Sequence, residues 1–172
     1  FAQDAPALLG GRVNILVNNA RIYPATPPAD LPDADLDAML AVNIRAPHVL
    51  VAALAPAMTE RGGGAIVNVG SWMAQVGSPF AAMYTATKAA VEQLTRAWAA
   101  EFGPRGVRVN SLAPGVTLTP GNEAARPVLD HMAAGTPAGV VVAPGDIADG
   151  VAFLVSDDAA MITEVRPNCP DL

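Results

Sequence analysis

The sequence lacks the features that mark several classes of protein. Among its 172 residues Cys169 is the one cysteine, so an internal disulfide is excluded and a cytoplasmic location is expected. The sequence has ten Lys and Arg residues and sixteen Asp and Glu residues. Because the basic residues are few and scattered, we expect no surface that binds nucleic acid. No apolar run reaches the ~20 residues of a membrane span. His48 and His131 have no acidic or cysteine partner at ligand spacing, so no metal site is expected.

The sequence is instead rich in aliphatic residues, and hydrophobic residues make up 52% of it. Short apolar runs alternate with longer helical patterns, which is typical of βαβ units. Strands that are apolar on both faces favour a parallel sheet covered by helices on both sides. We therefore expect a single α/β domain over residues 1–172, with a doubly wound Rossmann-type sheet.

The apolar periods place the elements of this domain. Strands are predicted at 13–18, 65–69 and 107–112, and helices at 34–58, 81–102 and 144–155. The loop 121–134 is expected to hold a short helix, 160–165 a weak last strand, and 165–172 an irregular tail. Two prolines within four residues, Pro167 and Pro170, argue against a central strand in that tail.

Tyr84 and Lys88 are the most informative pair in the chain. They are four residues apart within a predicted helix, so both side chains lie on one helix face. An ammonium group beside a phenol lowers the phenol's pKa from about 10, and such a phenol can exchange a proton with an alcohol or ketone. Ser71 follows the predicted strand 65–69, at the carboxyl edge where open α/β sheets bind ligands.

Other motifs surround this pair in a fixed order. Asn18-Asn19-Ala20 ends the first strand, Asn43 lies in Ala41-Val42-Asn43-Ile44, and Val107 to Gly115 is followed by Thr119. In order and spacing these motifs resemble the short-chain dehydrogenase/reductase family, from about residue 13 to about residue 163.

The resemblance implies a catalytic set. Tyr84 would be the acid and base, and Lys88 would lower its pKa and hold the nicotinamide ribose. Ser71 would bond the substrate oxygen, and Asn43 would anchor a water of the proton relay. Each residue also has a purely structural interpretation: Ser71 as a cap at a strand end, Asn43 as a satisfied polar group in a helix, and Lys88 as a solvated surface charge.

The resemblance also implies that NAD or NADP is the cofactor. The residues that would contact it, besides Tyr84 and Lys88, are Asn19, Ala20, Pro114, Gly115, Val116 and Thr119. The family begins with a strand, a Gly-rich turn and a helix that bind the pyrophosphate. No such segment occurs here, since Gly10-Gly11 precedes the first strand and opens no helix. We therefore expect the chain to lack the family's N-terminal cofactor-binding half.

Further departures affect the expected site. Arg21 stands where the family has a glycine that allows close approach of the cofactor, so it would crowd or redirect that contact. Val140 stands where an arginine is frequent. After Ile162-Thr163 the family has a glycine and an apolar strand, which this sequence replaces.

These observations lead to competing hypotheses. The first is an NAD(P)-dependent oxidoreductase that acts on a small, largely apolar secondary alcohol or ketone and forms a homodimer or homotetramer. The second is a non-catalytic fragment or interaction module that cannot bind the cofactor. An extended-type epimerase or dehydratase is a more distant third, because no large substrate domain follows the last helix.

Overall fold

Three parallel strands form the centre of the fold. The computed structural model describes residues 1–163, and within them the strands are β1 (Ile15–Asn18), β2 (Gly64–Val69) and β3 (Val107–Leu112), in the order β1-β2-β3. Ile15 pairs with Ala65 and Ala65 with Arg108, so the carboxyl ends of the three strands lie at one edge. The predicted parallel sheet and the predicted positions of its strands are confirmed.

Helices connect and flank these strands. The α-helices are α1 (Ala5–Leu8), α2 (Asp33–Leu40), α3 (Ala46–Glu60), α4 (Ala82–Phe102), α5 (Arg126–Ala134) and α6 (Pro144–Val155). Short 3-10 turns lie at Pro28–Asp30, Trp72–Gln75, Gly103–Arg105, Glu123–Ala125 and Asp157–Ala159. The predicted helices 81–102 and 144–155 are confirmed, and the loop 121–134 contains α5 as expected.

The helices form a layer on each face of the sheet. Apolar side chains of α3 and α4 make one core cluster with Leu16, Ile66 and Val109, which point to the same face. On the opposite face α6 packs against β2 and β3, where Gly150 lies close to the side chain of Leu112. The helices of residues 1–163 therefore cover β2 and β3 on both faces, as in a doubly wound fold.

The strand β1 is less completely covered. Its Leu16 is buried, but Ile15 and Val17 on the other face are 47% and 40% exposed. Within residues 1–163, β1 pairs only with β2, so its outer edge is open. An apolar strand with an open edge and an open face favours association with another surface.

One long helical segment, predicted at 34–58, runs from Asp33 to Glu60 and contains α2 and α3. A π-helical stretch at Ala41–Arg45 joins the two, and Pro47 opens α3. By length and composition this segment could cross a membrane, but a core helix of a globular protein passes the same criteria. Val51, Leu54 and other side chains of α3 pack on the sheet.

Two expectations for the C-terminal part have different outcomes. The predicted weak strand 160–165 does not form over its described residues, 160–163, which make a turn and a bend. Asn110 instead donates a hydrogen bond to the Ile162 carbonyl at 2.9 Å, so a side chain rather than a strand ladder fixes this segment beside β3. The predicted irregular tail, 165–172, lies outside the described residues.

Candidate active site

The predicted catalytic residues converge at the carboxyl edge of the sheet. Ser71 follows β2, Tyr84 and Lys88 lie on α4, and Asn43 lies in the π-helical stretch before α3. All four side chains are buried. The structure therefore brings together four residues that lie between positions 43 and 88 of the sequence.

Ser71 is positioned by backbone contacts on either side of it. The amide of Gly70 donates to the Leu112 carbonyl at 2.8 Å, and the amide of Trp72 donates to the Pro114 carbonyl at 3.2 Å. A Cβ atom on Gly70 would lie 2.9 Å from the Ser111 hydroxyl oxygen, so any larger residue would require that hydroxyl to shift. The Ser71 hydroxyl accepts a hydrogen bond from the Met73 amide at 3.2 Å, which is the expected role of a cap.

Lys88 joins the catalytic helix to the strand that carries Ser71. Its Nζ donates a hydrogen bond to the Val69 carbonyl at 2.7 Å, and it lies 5.9 Å from the ring centroid of Tyr84. Because Lys88 is buried, the interpretation as a solvated surface charge is wrong. This hydrogen bond fixes the position of α4 along the direction of β2, next to the last residue of the strand.

The side chain of Asn43 connects the loop after β1 to α4 through hydrogen bonds. Its Nδ2 donates to the Ile22 carbonyl at 2.9 Å and to the Thr87 hydroxyl at 3.1 Å, and its Oδ1 accepts from the Ile22 amide at 2.8 Å. Both hydrogens of the amide are thus used by the protein. The expected relay water would have to bind the remaining lone pair of Oδ1 or the backbone, and this role stays a prediction.

Two residues of the cluster were missed by the sequence analysis. The ring of Tyr23 packs against that of Tyr84, with 4.4 Å between their centroids. Thr87 receives the bond from Asn43 and donates to the Tyr84 carbonyl at 2.8 Å. Thr87 could have been noticed from its position three residues after Tyr84, whereas no local pattern indicates Tyr23.

The electrostatics of Tyr84 differ from the expectation. Burial disfavours the phenolate and raises the pKa of Tyr84 above 10.0, and Tyr23 adds to the rise. A side-chain hydrogen bond with Ser71 and the charge of Arg21 act in the opposite direction. Contrary to the expectation, the pKa of Tyr84 is raised in the chain by itself, because burial outweighs the Ser71 hydrogen bond and the charge of Arg21. Lys88 is not among the groups that shift it.

The same burial acts on Lys88. It lowers the pKa of Lys88 from 10.5 to about 8, and the positive charge of Arg21 contributes further. Burial therefore makes the Lys88 ammonium easier to deprotonate than it is in water. Arg21, noted in the sequence only as an obstruction, acts on both titrating groups of the cluster.

The predicted cofactor-contacting residues lie on two loops that leave the same edge. Asn19 and Ala20 are exposed directly after β1. Pro114, Gly115 and Val116 follow β3, and this loop is tied to Val142, whose amide donates to the Val116 carbonyl at 2.8 Å. A Cβ atom on Gly115 would make only an ordinary contact, at 3.9 Å from Val142, so the protein's own packing does not require glycine there.

Thr119 lies further along the second loop. Its amide donates to Asn122 Oδ1 at 2.7 Å, and Asn122 Nδ2 donates to the Thr117 carbonyl at 3.0 Å. Asn122, which the sequence analysis did not select, thus shapes the loop that presents Thr119. In the part of the chain that the structure describes, no three His, Cys, Asp or Glu side chains are close enough to hold a metal ion.

The arrangement suits proton transfer to a carbonyl or alkoxide oxygen. Tyr84 carries a transferable proton, Ser71 adds a second hydroxyl in hydrogen-bond contact, and two cations lie nearby. Such donors stabilise charge that develops on an oxygen in a desolvated site.

Comparison with known proteins agrees with this geometry. The family model described as Enoyl-(Acyl carrier protein) reductase matches residues 2–165. The D-threitol dehydrogenase of Mycolicibacterium smegmatis is 40% identical over 163 residues, which cover 94% of this chain and 63% of that protein. The L-rhamnose 1-dehydrogenase (NAD(P)(+)) of a Sphingomonas species is 38% identical over 157 residues, which cover 89% of this chain and 62% of that protein.

Solved structures give the same result. A short chain dehydrogenase/reductase family protein superimposes with a TM-score of 0.85 at 44% identity, covering 94% of this chain and 67% of the other. A gluconate 5-dehydrogenase from Burkholderia cenocepacia, solved with NADP and tartrate, gives 0.87 at 31% identity, covering 94% and 64%. The chain spans a little under two thirds of the curated relatives it matches. By its fold, its cluster of Ser71, Tyr84 and Lys88 and these relatives, the chain belongs to the short-chain dehydrogenase/reductase family.

Proposed function

We propose that this protein is an NAD(P)-dependent oxidoreductase that interconverts a small secondary alcohol and its ketone. The observation that carries the proposal is the pairing of the Tyr84 phenol with the Ser71 hydroxyl beside buried Lys88. The three side chains lie at the carboxyl edge of a parallel sheet, where such folds bind nucleotides and substrates.

The residues of the cluster divide the chemistry between them. A bound nicotinamide cofactor supplies or accepts the hydride. During reduction, Tyr84 donates its proton to the oxygen on which negative charge develops, and Ser71 donates a hydrogen bond to the same oxygen. During oxidation, the Tyr84 phenolate takes the alcohol proton. Burial opposes that phenolate, so Ser71 and the nearby cations are needed to support it.

The residues present fit parts of such a cofactor. The loops after β1 and β3 leave the sheet edge at which the cluster lies. Asn19 and Ala20 would flank the adenosine side of the cofactor, Pro114 to Val116 would approach the nicotinamide, and Thr119 would bond its carboxamide or a phosphate. Two relatives support NAD or NADP as the cofactor. The name of the L-rhamnose 1-dehydrogenase includes NAD(P)(+), and the gluconate 5-dehydrogenase was solved with NADP. Within residues 1–163 no Gly-rich turn leads a strand into a helix, so the described part of the chain offers no donors of that kind to the phosphates.

The expected substrate wall is apolar. Val128 and Met132 lie four residues apart on α5 and are both exposed, so they form an apolar strip on the loop region that follows β3. Leu118 and Leu129 are partly buried in the same region. These side chains favour a small alcohol or ketone with a hydrocarbon body.

The second candidate is a protein that keeps the fold but not the catalysis. One feature favours it: Arg21 replaces a glycine of the family pattern. The open face of β1 would then serve association rather than a neighbouring part of the same fold.

The first test concerns Tyr84. In the polypeptide as its gene encodes it, Tyr84→Phe should lower turnover by about 10²–10⁴-fold, because it removes the transferred proton. Cofactor affinity should stay nearly unchanged. The control is Tyr23→Phe, which keeps the ring that packs on Tyr84 and should stay active. Steady-state kinetics decide, and a Tyr84→Phe protein within tenfold of the parent would remove Tyr84 from the proposed role.

A pH test concerns Lys88, the only lysine in the sequence. Its folded pKa of about 8 lies below the unfolded value of 10.5, so the unfolded chain holds an extra proton between these values. The free energy of unfolding should therefore rise with pH from about 8 to about 10.5, by on the order of 1–3 kcal/mol.

Lys88→Met and Lys88→Arg should both lack this rise, since neither side chain loses a proton in that range. Urea unfolding measured at several pH values gives the comparison. If the free energy of unfolding of the wild type varied with pH in the same way as that of both variants, the pKa of Lys88 would not be lowered by folding.

The competing hypothesis of a non-catalytic chain is tested by cofactor binding to residues 1–172 alone. We expect negligible affinity for NADH and NADPH, because the pyrophosphate finds no Gly-rich helix start in this sequence. Arg21→Gly should bring no gain, since it removes crowding but adds no phosphate donors. Calorimetry that gives micromolar affinity would contradict the expectation.

A last test concerns assembly. We propose that the polypeptide of residues 1–172 forms a dimer or larger species through the open edge and face of β1. Val17→Lys should reduce association in sedimentation, while Val140→Lys, at an exposed loop position, should not. A compact wild-type monomer with a sharp, reversible unfolding transition would argue against the proposal.

A further inference from the structure

Thr87 is a buried polar residue on α4 that the proposed chemistry does not use. It lies between Tyr84 and Lys88 in the sequence, and it is 0% exposed. Its hydroxyl donates a hydrogen bond to the Tyr84 carbonyl at 2.8 Å and accepts one from Asn43 Nδ2 at 3.1 Å. The hydroxyl of Thr87 thus connects two members of the predicted catalytic set directly.

The bond to Tyr84 fixes the direction in which the Thr87 hydroxyl points. A hydroxyl has one hydrogen, and here the Tyr84 carbonyl accepts it, so the oxygen can only accept from Asn43. In an α-helix the same carbonyl is the acceptor for the amide four residues further on, which is that of Lys88. Thr87 is therefore a second donor to the backbone group that joins the turn of Tyr84 to that of Lys88.

Asn43 extends this contact to the loop after β1. Its Oδ1 accepts from the Ile22 amide at 2.8 Å, and its Nδ2 donates to the Ile22 carbonyl at 2.9 Å. The next residue, Tyr23, packs its ring on that of Tyr84, with 4.4 Å between the centroids. The loop that borders the Tyr84 ring is therefore linked, through Asn43 and Thr87, to the backbone of Tyr84 itself.

We propose that Thr87 is a positioning residue, whose hydroxyl keeps the Tyr84 phenol in place relative to the loop that packs on its ring. The inference rests on the proposed function, in which that phenol exchanges a proton with the substrate oxygen. Without the Thr87 hydroxyl, one hydrogen of the buried Asn43 amide loses its acceptor, so the loop can shift relative to α4. A displacement of about 1 Å at a reacting group can lower turnover by about 10²-fold.

The same helix offers a matched control at Thr95. Thr95 is also 0% exposed, its hydroxyl donates to the Val91 carbonyl at 2.8 Å, and it accepts from Asn68 Nδ2 at 2.8 Å. Thr87→Val and Thr95→Val each remove one such hydroxyl and keep a branched side chain. Both should therefore lose a similar amount of stability in urea unfolding. If either valine variant does not fold, the corresponding pair of alanine variants is used, since alanine favours a helix.

Steady-state kinetics on the polypeptide as its gene encodes it give the first readout, with 2-butanol or cyclohexanol as the alcohol and NAD or NADP as the cofactor. Thr87→Val should lower kcat by about tenfold or more and change KM by less than about threefold, because it displaces the proton donor and removes no binding group. Thr87→Ser should recover most of the loss, and Thr95→Val should keep kcat within about threefold of the wild type. A Thr87→Val protein that loses no more kcat than Thr95→Val, or a Thr87→Ser protein that recovers nothing, would overturn the inference.

A second readout does not depend on turnover. The sequence contains two tyrosines, so fluorotyrosine labelling of a Tyr23→Phe protein places its single label at Tyr84. In that background Thr87→Val should displace the fluorine NMR resonance of Tyr84, whereas Thr87→Ser and Thr95→Val should leave it near its parent position. If no alcohol reacts with any of these proteins, the proposed function fails and this resonance decides about Thr87. A resonance that moves equally in both valine variants, or in neither, contradicts the positioning role.

Discussion

The hydrogen bond from Lys88 Nζ to the Val69 carbonyl is the contact on which the site depends. It joins α4, which carries Tyr84, to the last residue of β2, after which Ser71 follows. This bond gives the buried ammonium a backbone acceptor, which a buried polar group requires. The position of α4, and with it that of Tyr84, is therefore fixed beside the end of β2 by a side chain that the proposed chemistry also needs.

A second constraint acts from the other side of Tyr84. Asn43 binds Ile22 through both backbone groups and reaches Thr87, which in turn bonds the Tyr84 carbonyl. The loop after β1, the π-helical stretch and α4 are thus linked through one buried amide. Irregular helical turns of this kind are frequent at functional sites because they redirect side chains without ending the helix. The same amide that orders the catalytic helix also fixes the segment that presents Arg21.

Much of the fold follows from local pattern, and the site follows less completely. The strand 107–112 and the helix 81–102 were predicted within a residue, because apolar runs and the Gly103-Pro104 stop are local signals. Over residues 160–163, the described part of the predicted strand 160–165, no strand forms, because propensity alone cannot supply a neighbour for a ladder. The buried polar line from Asn18 through Asn68 to Thr95, with bonds of 2.7 and 2.8 Å, also escaped notice, since it joins residues 50 and 27 positions apart.

The sign of the pKa shift at Tyr84 shows where sequence reasoning reaches its limit. The spacing of Tyr84 and Lys88 is legible in the sequence, but the depth at which the helix buries them is not. Burial acts on both groups against their charged forms, so the cluster at rest holds a neutral Tyr84 phenol and a Lys88 ammonium that loses its proton more readily than in water. Ionisation of Tyr84 then requires additional stabilisation from outside the pair. Arg21 and the Ser71 hydroxyl already supply part of it, and they act at the oxygen whose charge changes during the reaction.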